Sequence, residues 1–151
     1  MERTTEFAIG TRRVGAGHPC FIVAELSGNH HQNYDEAVRL IEAAVAAGAD
    51  AVKLQTYTPD TMTIDCRREW FRIGGDDVPE AWRGKTLYEL YQGIYTPWEW
   101  QPKLKAVSDQ LGIIFFSTPF DETAVDFLEA TGGVPCYKVA SYEVTDIPLL
   151  K

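Results

Sequence analysis

The chain has 151 residues, 45% of them hydrophobic and 24% charged, with a formal net charge of −8 at pH 7. That is enough apolar chain for one sizeable core, and the acidic balance excludes a surface built to meet nucleic-acid phosphates or an anionic bilayer. Cys20, Cys66 and Cys136 are widely spaced and form no CxxC pair, so neither a disulfide framework nor a zinc knuckle is indicated.

The opening residues MERTTEFAIG hold no apolar run, and no stretch of the sequence approaches the roughly 20 apolar residues of a spanning helix. A cytoplasmic protein with reduced thiols and no membrane partner is expected. Within a leading segment, residues 1–19, Phe7 to Val14 reads as a small hairpin or an end plug.

The first branched apolar run, Phe21 to Glu25, leads into a polar turn, Ser27 to His31. A helix follows, with Asn33 as N-cap, Glu36 completing a capping box, an apolar stripe at Val38, Ile41 and Val45, and Gly48 beyond its end. The second run is Asp50 to Thr56. Residues 58–95 then read as an insertion holding Trp70, Trp82 and the apolar pattern Leu87, Leu90, Tyr91 and Ile94. Lying over the carboxyl ends of the strands, it is either a lid or substrate wall or a decorative subdomain.

Thr96, Pro97 and Glu99 supply cap, N1 proline and N3 glutamate for a helix carrying Trp100, Leu104, Val107 and Leu111, closed by Gly112. The third run is Ile113 to Thr118. A helix capped by Asp121 comes next, with Ala124, Val125 and Leu128 inward and Gly132-Gly133 at its end. A fourth run, Cys136 to Ala140, passes through Ser141 and Glu143 to a helix start at Thr145 to Pro148.

Near-continuous apolar strands alternating with helices imply a parallel sheet covered by helices, since only crossover connections join parallel neighbours. The fold class expected over residues 20–151 is α/β, specifically the N-terminal half, about four β/α units, of a TIM (β/α)8 barrel. Such a barrel closes at about 250 residues. A flavodoxin-like open sheet is the competing architecture, and the residues at the strand ends favour the barrel.

Strand alternation sets Lys53 and Gln55 on one face of the second strand, opposite Val52 and Leu54. The same parity groups Val23 with Glu25, Phe116 with Thr118, and Cys136 with Lys138 and Ala140. Each strand therefore delivers a polar or charged group near its carboxyl end. A charge buried there needs a counterion or a ligand. An internal salt bridge, for example Glu25 with Lys53, is one explanation; the other is a receptor for a small phosphate or carboxylate, built from two lysines and the hydroxyls of Thr118 and Ser141.

Other local patterns carry less. Gly84-Lys85-Thr86 resembles the end of a P-loop, but Pro79 stands where the earlier glycine is required. Asn29-His30-His31 lacks the spacing of a helical metal site; His30 reads as a substrate or loop-ordering residue and His31 as exposed. Trp98, Trp100 and Tyr95 read as helix packing.

The motifs Ala24 to His30, Gly48 to Thr56, Phe116 to Asp121 and Tyr137 to Glu143, in that order at four successive strand ends, resemble the N-terminal half of the sialic acid synthases. Leu26-Ser27-Gly28, Leu87-Tyr88 with Tyr95 to Trp100, and Pro119 to Glu129 are most similar to the pseudaminic acid synthases. The resemblance implies a transferase that condenses phosphoenolpyruvate with a 2,4-diacetamido-2,4,6-trideoxyhexose, with neuraminate or legionaminate formation as the alternative. It also implies a divalent metal, Mn or Mg, whose main ligands lie on later strands, so that no metal ligand is expected in this chain. A homodimer is implied too, and a second barrel half and a C-terminal antifreeze-like domain are expected beyond this chain, which alone should be inactive.

With that resemblance, Glu25, Lys53, Lys138 and Glu143 are the expected catalytic residues. Asn29, His30, Gln55, Thr118 and Ser141 are the expected substrate-binding residues. Two rivals stand beside this reading: an aldolase forming a Schiff base on Lys53 or Lys138, and a non-catalytic half-barrel that binds an anion or pairs through its open sheet edges.

Overall fold

A computed structural model of the chain describes residues 6–151. It opens with an antiparallel hairpin, β1 (Glu6–Ile9) and β2 (Arg12–Gly15), turned at Gly10 with φ 56°. Residues 1–5 of the leading segment lie outside the described residues. The hairpin is fastened beneath the main sheet: Arg12 pairs with the Asp50 carboxylate, and the other oxygen of Asp50 accepts the Ile22 N–H at 2.8 Å. A side chain at Gly10 would press on Ile114, its Cβ 3.3 Å from Ile114 Cδ1, so the turn and the sheet pack closely.

The main sheet is parallel, in the order β3 (Val23–Glu25), β4 (Ala51–Thr56), β5 (Ile114–Pro119). Its register sets Glu25 beside Lys53, Lys53 beside Phe116, and Gln55 beside Thr118. α1 (Tyr34–Ala46) connects β3 to β4, and α4 (Gln101–Leu111) precedes β5. Leu26, Ala37, Ile41, Val52, Leu54, Leu104, Ile113 and Phe115 form one buried cluster between these helices and the sheet. Each of the larger side chains among them contributes about 1.5–3 kcal/mol of burial, so this helix-covered face is where the fold gains its stability.

Local signals set the helix ends. Asn33 Oδ1 accepts the Glu36 N–H at 3.0 Å, but the expected capping box is incomplete, because the Glu36 carboxylate bonds Arg39 at 2.6 Å instead of reaching back. Gly112 ends α4 in the left-handed conformation, φ 74°. Asp121 caps α5 (Glu122–Ala130), its Oδ1 accepting the Ala124 N–H at 3.1 Å.

Thr96 is not the cap of the helix that follows it. The chain first makes a 3-10 turn, Trp98–Trp100, and α4 starts at Gln101. The Thr96 side chain is drawn into the core by another partner, described below.

The fourth run also differs from expectation. Cys136 to Ala140 forms no strand but one parallel bridge, Tyr137 to Ser117, with the Lys138 N–H donated to Ser117 O at 3.2 Å. The segment meets β5 at that one point, and Val139 is exposed. α6 (Ile147–Leu150) follows, capped by Asp146.

Between β4 and α4 lie α2 (Pro59–Met62), a 3-10 turn at Glu69–Phe71 and α3 (Leu87–Ile94). Thr86 and Glu89 form a full capping box on α3, with bonds of 3.1 and 2.9 Å. Lys85-Thr86 therefore serves as a helix start, in keeping with the missing P-loop glycine.

Candidate active site at the carboxyl ends of the strands

Lys53 is the centre of the arrangement. Strand parity turns it away from the helix-covered core, yet it is only 9% exposed. Its Nζ pairs with Glu25 Oε2 across the β3–β4 register and donates to Thr118 Oγ1 at 3.4 Å across β4–β5. Three successive strands thus bring a carboxylate, an ammonium and a hydroxyl together. The internal salt bridge raised by the sequence is real, but it is lopsided: the Glu25 side chain is 43% exposed while Lys53 is enclosed. A buried cation beside a hydroxyl and a solvated carboxylate can accept an anion from solvent without rebuilding the strands.

The remaining expected residues are distributed around this trio. Gln55 is half-buried on the Lys53 face, in register with Thr118. Lys138, also half-buried, falls on the Thr118 side because Tyr137 is bridged to Ser117. Tyr137 is turned outward, where its hydroxyl donates to Glu129; burial and that bond push the phenol up to about 12. Ser141 is exposed. Glu143 is half-buried on a 3-10 turn, and its Oε2 is enclosed with no hydrogen-bond partner. Neither Ser141 nor Glu143 makes a side-chain bond to the trio.

The turn after β3 behaves differently. His30 is fully buried; its Nδ1 accepts the Gln32 N–H at 3.1 Å and its Nε2–H donates to Thr96 Oγ1 at 3.0 Å. Its ring also meets Trp100 edge to face, with centroids 5.7 Å apart. Burial, helped by the neighbouring His31, holds the imidazole pKa below its ordinary value. With both nitrogens engaged, ordering the turn is the role this geometry fits, rather than touching substrate.

Asn29 is exposed and, with His31, Trp82 and Lys85, lines a cleft of about 380 Å³ between the turn and the insertion. Gly28 is the close point of that junction. A Cβ there would lie 2.7 Å from Ile94 Cβ and 2.8 Å from Ile94 O. Gln32 strengthens it by donating to Gln92 O and Tyr95 O at 2.9 and 3.2 Å.

One polar group escaped the sequence reading. Thr56 and Ser117, on the opposite face of the sheet from Gln55 and Thr118, are fully buried with hydroxyl oxygens 2.7 Å apart, and Thr56 donates to Gln101 Oε1 at 3.0 Å. The available signal was a pair of hydroxyl residues at outward positions of otherwise apolar strands.

Among the described residues no group of three or more His, Cys, Asp or Glu side chains could hold a metal ion. The donor set of these residues does not fit a divalent cation. No helix among the described residues is long and apolar enough to cross a membrane.

The model of the NeuB family matches residues 40–151. The chain is 43% identical over 126 residues to the pseudaminic acid synthase of Campylobacter jejuni, covering 83% of this chain and 35% of that protein. To the pseudaminic acid synthase of Helicobacter pylori it is 42% identical over 133 residues, 88% of this chain and 38% of the relative. The chain thus spans little more than a third of the length of these curated relatives. The crystal structure of N-acetylneuraminic acid (sialic acid) synthetase from Leptospira borgpetersenii, in complex with citrate, superposes with a TM-score of 0.78 at 28% identity, over 96% of this chain and 44% of that one. The α/β class with parallel barrel-type strands, expected from the sequence, agrees with this neighbour.

Proposed function

We propose, for a chain that belongs to the NeuB family, that the carboxyl ends of β3, β4 and β5 form the phosphoenolpyruvate wall of a nonulosonate synthase of the pseudaminate branch. The observation that carries this is Lys53, a nearly enclosed ammonium held between Glu25 and Thr118 at strand ends. The similarity to two pseudaminic acid synthases favours the 2,4-diacetamido-2,4,6-trideoxyhexose as co-substrate.

In the proposed reaction C3 of phosphoenolpyruvate attacks the open-chain aldehyde, forming a C–C bond while the carbonyl oxygen takes a proton. Water adds at C2, and the tetrahedral intermediate expels phosphate by C–O cleavage, leaving the 2-keto acid. Lys53 and Lys138 hold the carboxylate and phosphate, and Thr118 and Ser141 donate hydroxyl hydrogen bonds to them. Glu25, once an incoming anion takes over Lys53, is free to position the water or pass a proton at C2. Glu143, with an enclosed unpartnered oxygen, receives a hydroxyl of the sugar near its reacting carbon. Gln55 and Asn29 add polar contacts, and His30 keeps the turn in place.

The Schiff-base alternative fits less well. The Lys53 head is already occupied by a carboxylate and a hydroxyl, as suits a cation that holds an anion and not a neutral amine that attacks a carbonyl. The experiment is phosphate release by the protein that carries this chain, supplied with phosphoenolpyruvate and each candidate sugar. Release that needs both substrates, and that falls away in Lys53→Ala, is expected. Trapping of pyruvate by borohydride, or preference for N-acetylmannosamine, would overturn the reaction or the branch respectively.

A further inference from the structure

We infer that Thr56, Ser117 and Gln101 are positioning residues, a buried clamp on the outer face of the sheet that holds the anion-binding face in register. The inference rests on the functional reading above and extends it to three residues with no access to substrate.

The register makes the connection. Leu54 is paired with Ser117, Gln55 with Thr118, and Thr56 with Pro119. The Thr56–Ser117 contact of 2.7 Å is therefore a diagonal tie that straddles the Gln55–Thr118 pair from behind. The next backbone bond, Phe120 N–H to Thr56 O, is long at 3.3 Å. The side-chain hydroxyls add a second cross-link at that end of the ladder.

Gln101 anchors the pair to α4. Its first-turn position brings Oε1 within 3.0 Å of Thr56 Oγ1, in a run of donors from Ser117 to Thr56 to Gln101. It is 1% exposed and its Nε2 has no partner. An unpaired buried amide is unfavourable, and Val52, Leu54 and Phe115 show that this face is otherwise filled by apolar side chains. A polar network kept at such a cost is explained if it fixes one stagger of β4 against β5. The site would feel any slippage, because the Lys53–Thr118 bond, at 3.4 Å, is already near the limit of a hydrogen bond.

Thr56→Val and Thr56→Ser test this in the full protein that carries the chain, since valine keeps the shape without the hydroxyl and serine keeps the hydroxyl. Two quantities are read: amide hydrogen exchange along β5, and the KM for phosphoenolpyruvate against kcat. Ile41→Ala, on α1, serves as a control that weakens the core without altering the helix that carries Gln101. Thr56→Val should speed exchange at Thr118 and Phe120 and raise KM roughly tenfold, as a small misplacement of a binding group does, whereas Thr56→Ser should restore both. Unchanged exchange in Thr56→Val, or faster exchange with unchanged KM, overturns the clamp, as does an equal rise in KM for Ile41→Ala. If the unaltered protein does not consume phosphoenolpyruvate, the functional reading falls, and exchange in Thr56→Val against Thr56→Ser still decides whether the clamp orders the β4–β5 end.

Discussion

The Glu25 carboxylate and the Lys53 ammonium face each other as register partners on β3 and β4, and they are paired. Only one of the two is enclosed. Removing Glu25 strands a buried cation, whereas removing Lys53 leaves a carboxylate that water already reaches. Glu25→Gln should therefore destabilise the fold by about 1–3 kcal/mol, the cost of an unsatisfied buried group, and Lys53→Met by less. Chemical denaturation of the two variants measures the difference; equal losses would show that the pair is symmetric and solvated.

In the proposed reaction the same pair sets an order for binding and chemistry. Glu25→Gln removes the group that competes with an anion for Lys53, so phosphoenolpyruvate affinity should hold or tighten while turnover falls roughly 10²–10⁴-fold, the range for loss of a general acid or base. Calorimetric titration beside phosphate release separates the two effects. Weaker binding with unchanged turnover would assign Glu25 to substrate binding alone.

His30 makes stability depend on pH with a definite sign. Its folded pKa lies below the ordinary 6.5, so the unfolded chain binds the extra proton first as pH falls. The stability it contributes is complete above pH 6.5 and is lost as pH drops through that value towards the folded pKa. Thermal unfolding followed from pH 7.5 to 5.5 should show a decline that His30→Gln reduces. A decline of the same depth in both proteins would place the titrating group elsewhere.

Gly28 should not tolerate a methyl group. Gly28→Ala drives its Cβ against both the Ile94 side chain and the Ile94 carbonyl, at 2.7 and 2.8 Å, and overpacking of this kind costs about 1–3 kcal/mol. Limited proteolysis should find the 81–95 region released first. Trimming Ile94 to alanine in the same protein should not restore it, because alanine keeps both the Cβ and the backbone oxygen that Gly28→Ala meets.

Leu104, fully buried in the cluster between α1, α4 and the sheet, should cost about 2–5 kcal/mol when cut to alanine. Urea denaturation gives the value. A loss below that range would mean that the helices close over the cavity.

Much of this protein was determined by local sequence. The parity of β4, which sends Lys53 to one face and Val52 and Leu54 to the other, follows from the two-residue repeat of an extended strand. The helix ends at Asn33, Gly112 and Asp121 follow from cap chemistry within a few residues. Other features were decided only by the tertiary structure. Thr96 reads as a helix cap, but it is taken by His30, 66 positions away. The fourth apolar run has strand composition and makes a single bridge, a pairing that no local pattern fixes. Thr56 meets Gln101 across 45 positions and Ser117 across 61. A buried polar group must find its partner among whatever side chains the fold delivers, so local sequence determined strand parity and helix caps, and tertiary packing decided which polar side chains meet.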